Sequence, residues 1–125
     1  MICANPDRTV ARSGHIIYCA GAIAEAFEVA GGAVVYAGKP YLPIYQQAID
    51  KVSVLAGAPV SVHGLLAIGD GVKTDIAGAA AAGIASVYIA SAVHLGDQCL
   101  DAGALDSLFP DASVRPLAAM TALAW

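Results

Sequence analysis

Charge is what this sequence has least of. Only 13% of its 125 residues are Asp, Glu, Lys or Arg, against 58% hydrophobic. The formal balance is −4, and the six basic residues (Arg8, Arg12, Lys39, Lys51, Lys73 and Arg115) form no stripe. No nucleic-acid partner is expected, because phosphate backbones need clustered Lys and Arg. Long apolar runs are also missing: none reaches the roughly 18 uninterrupted residues that a membrane span needs. The opening stretch, MICANPDRTVARSGH, turns polar within five residues and lacks the apolar segment of a secretory signal. The expectation is a soluble, cytoplasmic protein with no membrane partner.

Cysteine is sparse as well. Cys3, Cys19 and Cys99 are widely spaced with no C-x-x-C pair, which points to buried free thiols rather than a disulfide or a zinc site. His15, His63 and His94 share no metal-ligand spacing. No G-x-S-x-G elbow occurs, and Ser13, Ser53 and Ser61 stand in no nucleophile context.

What is present is an alternation of short apolar runs and longer helical periods. MICAN reads as a strand ending at Asn5-Pro6. Residues 21–30 place Ile23, Ala26, Phe27 and Ala30 on one helical face, and Gly31-Gly32 stops that helix. AVVYAG (33–38) is a short β-branched strand. The next helix carries Tyr41, Ile44, Tyr45, Ala48, Ile49 and Val52 at helical spacing, with Pro40 and Pro43 in its first turn. A strand over 65–69, a helix over 74–83 and a strand over 85–91 follow. Residues 99–109 read as helical, 112–117 as a last short strand, and AAMTALAW closes the chain. Strands separated by helical segments predict right-handed crossovers and a mostly parallel sheet, α/β in class, with helices covering both faces of apolar strands. At this length one domain spanning 1–125 is expected, three layers deep around a single core.

The stretch LLAIGDGVKTDIAGAA concentrates the scarce charge. Ligands of open parallel sheets collect outside the carboxyl ends of the strands, which is where Asp70 falls. A buried, unpaired carboxylate there costs several kcal/mol, so a counter-charge is expected, and Mg²⁺ is a natural supplier because it prefers hard oxygen ligands. Asp75 lies in the first turn of the next helix, as a cap or as a second contributor to the metal. GDGVKT begins like a dinucleotide fingerprint, but Thr74 replaces its third glycine and Asp70 would repel a pyrophosphate. Lys39 follows another buried strand at the same sheet edge, either as a solvated surface lysine or as a partner for the carboxylates and a phosphoryl group. NPDRT is a third polar cluster at a strand end: Asn5 and Asp7 cap a turn or reach a ligand, and Arg8 is placed to hold an anion.

NPDRT, GKPYLPIYQQAI and IGDGVKTDIAGAAAAGIASVYIASAVH together resemble the haloacid dehalogenase-like (HAD) phosphatase superfamily. The resemblance is to its class IIA branch, with NagD-like and p-nitrophenyl-phosphatase-like members, and runs from about Cys3 to His94. It implies a Rossmann-like α/β/α core and a Mg²⁺-dependent phosphohydrolase in which an aspartate attacks phosphorus and water then hydrolyses the aspartyl-phosphate. It implies Lys39 as the lysine balancing charge around nucleophile and phosphate, and Asp70 as a Mg²⁺ ligand with Asp75 supporting the metal's hydration shell. Asn5 and Asp7 match the stretch where a class IIA chain returns from its cap domain to the core, a low-weight candidate for substrate binding.

The family's first motif, D-x-D-G, is absent: Asp7 is followed by Arg-Thr-Val and no D-x-D occurs in the 125 residues. The Ser or Thr of its second motif is absent too. The chain thus corresponds to the C-terminal part of such a core, expected to be inactive alone. The strand that bears the nucleophile sits mid-sheet in the family, so its loss would expose an apolar sheet edge. Self-association as a homo-oligomer, or a partner chain carrying the N-terminal half, is therefore expected, with a small phosphorylated substrate once the site is completed. Two alternatives stand beside this: a non-catalytic interaction module of the same fold, and a small flavodoxin-like domain using the Asp70 turn for another cation or a phosphate.

Overall fold

A computed structural model describes residues 1–90 and 100–123. The chain begins with strand β1 (Ile2–Cys3), a hairpin of β2 (Thr9–Arg12) and β3 (His15–Tyr18), and helix α1 (Ala20–Val29). Strand β4 (Val35–Tyr36) leads to helix α2 (Leu42–Ala56), and β5 (Leu66–Gly69) to a π-type turn (Val72–Ile76) that runs into the short helix α3 (Ala77–Ala81). Strand β6 (Ala85–Ile89), helix α4 (Ala102–Leu108) and strand β7 (Ala118–Met120) complete it. The architecture is the expected mixed α/β type, Rossmann-like, with mainly parallel pairing.

The parallel strands lie in two separate pieces. β1 pairs with β4, while β6 is flanked by β5 and β7. β6 is therefore the central strand of its piece, and Ser86, Val87 and Tyr88 on it are buried. Around it Ile76, Tyr88 and Phe109 form the core, with the Phe109 ring edge-on to Tyr88 at a centroid distance of 5.3 Å. Val72, Leu105 and Leu108 pack on the rim of this cluster. In the other piece Cys3 is buried but its strand neighbours are not. Ile2 is 76% exposed and Val35 60%, and on β5, at the free edge of the three-stranded sheet, Leu66 is 53% and Ile68 46% exposed. Apolar strands thus do not have both faces covered throughout: among the described residues no helix shields these side chains from solvent.

The helices fall close to their expected bounds, with exceptions that have physical reasons. Gly31 adopts φ +88° just beyond α1 and ends it as expected. The buried face of α1 is Gly21 and Ala24, where the chain passes close to Pro6; Ile23 and Phe27 face outward. Pro43 lies in the first turn of α2, but Pro40 precedes the helix, in a cis bond after Lys39. The half-buried stripe of α2 keeps Tyr45, Ile49 and Val52, leaving Ile44 and Ala48 exposed. Residues 112–117 are not a strand: Asp111 caps a 3₁₀ turn over Ala112–Val114, accepting from the Ser113 N–H at 2.9 Å, and the last strand starts at Ala118.

The hairpin was not expected. Its two-residue turn has Ser13 at φ +51° and Gly14 at φ +78°, so both central residues are left-handed as a primed hairpin turn requires. Cys3 is buried and free, and Cys19 is a half-buried free thiol. Cys99, His94 and the end of the strand expected over 85–91 lie outside the described residues. Among the described residues no helix is long and apolar enough to cross a membrane.

Candidate functional site

Three loops meet at the carboxyl ends of the strands. The first leaves β1 through Asn5-Pro6-Asp7, the second leaves β4 through Gly38-Lys39, and the third leaves β5 through Asp70-Gly71 into the π-type turn. Gly38 fits because a β-carbon there would stand 2.6 Å from Pro6 Cδ and closer still to the Ala4 carbonyl. This contact presses the first two loops together and aims Lys39 across to the third.

Lys39 Nζ donates to Asp75 Oδ1 in an ion pair that joins the two sheet pieces. The Lys39 side chain is 53% exposed and that of Asp75 16%, so the pair sits at the wet mouth of the rim with its carboxylate inward. The other Asp75 oxygen accepts from the Gly71 N–H at 2.9 Å, folding the carboxylate back over the end of β5. The hydrogen bond it donates to Asp75 holds the Lys39 ammonium above its usual 10.5; partial burial opposes this, while the charges of Asp75, Tyr45 and Asp7 reinforce it. Asp7 is therefore close enough to Lys39 to be felt electrostatically.

The turn that presents Asp75 is wider than an α-helical one. The Ile76 N–H reaches back five residues to the Gly71 carbonyl at 3.0 Å. Such π-type turns recur at functional sites because the extra residue redirects a side chain. Tyr45 of α2 closes the turn from behind, its hydroxyl 3.3 Å from the carbonyl oxygens of both Thr74 and Asp75. Burial and the Asp75 charge raise the Tyr45 phenol, and Lys39 partly offsets them.

The residues singled out from sequence divide accordingly. Lys39 and Asp75 are brought together. Asp70 sits at the expected strand end but is exposed, so the argument from a buried unpaired carboxylate does not apply to it: water solvates it. Its carboxylate makes no hydrogen bond or ion pair among the described residues, and Lys39 binds Asp75 instead. Asn5 Oδ1 accepts from the Asp7 N–H at 3.2 Å, which is the turn-capping role, and both residues are exposed. Arg8 is paired with Glu25 at 2.8 Å rather than free for an anion. Tyr45 was placed by sequence on an apolar stripe, with no signal in the spacing that its hydroxyl meets the Asp75 turn. A cavity of about 480 Å³ opens beside Lys39, walled by Ala4, Ala37, Pro43 and Ile44 and edged by Gln47.

A mainly parallel sheet with its charged groups on the loops at the strands' carboxyl ends defines a Rossmann-like α/β protein with its ligand rim there. Residues 36–113 match the HAD-hydrolase-like family, and the chain belongs to it. It is similar to a haloacid dehalogenase-like hydrolase from Brucella suis 1330, at 38% identity and TM-score 0.71 over 98% of this chain and 44% of that one. It shares the fold of a p-nitrophenyl phosphatase from Archaeoglobus fulgidus, with 23% identity, TM-score 0.68, and 97% and 42% coverage. It also shares the fold of a glycerol phosphate phosphatase from Mycobacterium tuberculosis in complex with calcium, with 23% identity, TM-score 0.65, and 95% and 30% coverage. The resemblance to the HAD superfamily thus holds, and the flavodoxin-like alternative gives way to it. The chain spans less than half the length of the solved structures it matches. No curated protein matches it.

Phosphatases of this family generally use a divalent metal. The donor set here is of the right kind, since Asp70 and Asp75 both offer carboxylate oxygens to a hard cation. It is also short: among the described residues no three His, Cys, Asp or Glu side chains converge. The residues fit part of such a site.

Proposed function

We propose that this chain carries the metal-facing and phosphate-facing part of a Mg²⁺-dependent HAD phosphatase acting on a small phosphorylated substrate. The observation that supports this most directly is the Lys39–Asp75 pair held across the carboxyl ends of β4 and β5, with the unpartnered Asp70 on the same rim. Asp70 would hold Mg²⁺ directly and Asp75 would order its water shell, while Lys39 would bind a phosphoryl oxygen as a point charge. The metal, when bound, supplies charge neutralisation to the transferring phosphoryl group. Asn5 and Asp7 border the same rim, and Asp7 tempers the positive charge of Lys39.

The reacting aspartate is not among these residues, so the chain alone is inactive in this reading. Among the described residues the two sheet pieces share no strand pairing and are joined at the rim by the Lys39–Asp75 pair, while β5, on the outside of its piece, shows Leu66 and Ile68. Such an edge accepts a strand. A polypeptide supplying the D-x-D strand would pair there, and in its absence copies of the chain self-associate. The free thiols Cys3 and Cys19 suit a reducing, cytoplasmic setting.

The test is hydrolysis of p-nitrophenyl phosphate with Mg²⁺. No turnover is expected from the chain alone. Turnover is expected on mixing with a polypeptide bearing a D-x-D-G strand, and its loss with Asp70→Asn. Turnover by the unassisted chain that survives Asp70→Asn would overturn the proposal. A mixture that binds but never turns over would favour the non-catalytic module.

A further inference from the structure

One residue that grips the main chain of the Asp75 turn is not called for by the phosphatase chemistry itself. Tyr45 Oη stands 3.3 Å from the Thr74 oxygen and 3.3 Å from the Asp75 oxygen, so its single proton is shared between two successive carbonyls. Its hydroxyl end lies against α3 at Gly78, where a β-carbon would come within 2.2 Å of Oη and 2.7 Å of Cε2 and Cζ. The Asp75 side chain is held separately, by Lys39 on one oxygen and the Gly71 N–H on the other. Lys39 lies three residues before α2 and Tyr45 in its first turns, so one segment holds Asp75 by both its carboxylate and its main chain.

We propose that Tyr45 is a positioning residue: its hydroxyl fixes the main chain of the π-type turn, and through it the direction of the Asp75 carboxylate toward Lys39 and the rim. This rests on the reading above for the importance of Asp75, but the geometric claim stands by itself. The hydroxyl matters more than the ring. The ring secures α2 to α3, whereas only the O–H reaches the carbonyls that set the turn. Gly78 is the complement on α3, since any side chain there would lift the phenol away from them.

The experiment is amide hydrogen exchange by NMR on the chain, comparing the unaltered protein with Tyr45→Phe and with Gly78→Ala. Gly71 and Ile76 are the reporters, because their N–H groups close the turn onto Asp75 Oδ2 and Gly71 O. A neutral hydrogen bond of this kind leads us to expect about a tenfold loss of protection at both amides in Tyr45→Phe. The β6 amides of Val87 and Tyr88 should stay as they were. Gly78→Ala should reproduce that local loss, and the ¹³C shift of the Asp75 carboxylate should move in both variants. Tyr41→Phe, which alters the ring stacked on Tyr36, should change none of these signals. A Gly71 amide that exchanges freely in the unaltered chain would overturn the proposal. So would unchanged protection in Tyr45→Phe, or a loss spread equally over Val87 and Tyr88. Mg²⁺ dependence of p-nitrophenyl phosphate turnover in the mixture with the D-x-D-G polypeptide tests the other reading: no such dependence, with local loss in Tyr45→Phe, sinks the metal role and leaves Tyr45 in place.

Discussion

The two parallel sheets are made of the same kind of strand and have opposite fates. ASVYI in β6 and VY in β4 are both apolar and β-branched or aromatic, yet β6 is buried along its middle and β4 is not. The difference lies in neighbours rather than in composition. β6 has a strand on each side and the Phe109 ring edge-on to Tyr88; β4 has β1 alone. An apolar strand states a demand for cover, and whether the demand is met depends on chain elsewhere.

The largest way to break this contrast is in the packed half. Phe109→Ala removes the ring against Tyr88 and should lower stability by about 3–5 kcal/mol, read as a fall in the urea midpoint by circular dichroism. Next comes the seam between the first two loops. Gly38→Ala forces a β-carbon onto the Ala4 carbonyl and Pro6, and should cost about 1–3 kcal/mol in the same measurement. An effect near zero would show that the seam yields freely.

In the sparse half the sharpest signature is a titration. Tyr36 donates to Glu28 at 2.8 Å, and this bond, ahead of burial and the Glu28 charge, raises its phenol from 10.0 to about 12. A raised value means that the folded form keeps its proton longer. The contribution is therefore whole below pH 10.0 and is lost as pH rises through about 12. Tyrosinate absorbance should show Tyr36 ionising late, beside the raised Tyr45, and Glu28→Gln should bring the Tyr36 component back toward 10.0. The smallest effect is expected at Ile2→Ser and Val35→Ser, within about 0.5 kcal/mol of the parent. Their consequence should appear instead as weaker self-association in sedimentation velocity. A loss comparable to Phe109→Ala would mean that these side chains are covered after all.

Much of this was legible in the sequence. Helix periods and glycine stops located α1 and α2, and Lys39 and Asp70 could be assigned to strand ends because apolar runs stop so sharply before them, with Asp75 in the first turn that follows. The hairpin is only faintly marked: Ser13-Gly14 between TVAR and HIIY is a turn signal, but each flanking run is four residues long and polar at its turn end. Which carboxylate Lys39 would choose was not legible. Spacing puts Asp70 nearer the strand end, but the π-type turn swings Asp75 inward, and that widening leaves no mark in composition. The faces of α1 were inverted for a related reason: close packing on Pro6 requires Gly21 and Ala24, whereas hydrophobicity pointed to Ile23 and Phe27.

The extra residue in the Val72–Ile76 turn has a consequence for sequence change in this region. Each residue of a regular helix advances the side-chain direction by about 100° around the axis. Deleting one residue between Gly71 and Asp75 would give a tidier helix, better hydrogen-bonded by ordinary standards, yet would rotate the carboxylate away from the Lys39 ammonium by about that angle. The four residues between Asp70 and Asp75 therefore act as a phase setting. Their number is fixed by that phase, and Gly71 is fixed in kind as well, since a β-carbon there would stand 2.0 Å from Thr74 Oγ1 and 2.9 Å from Asp75 Oδ2.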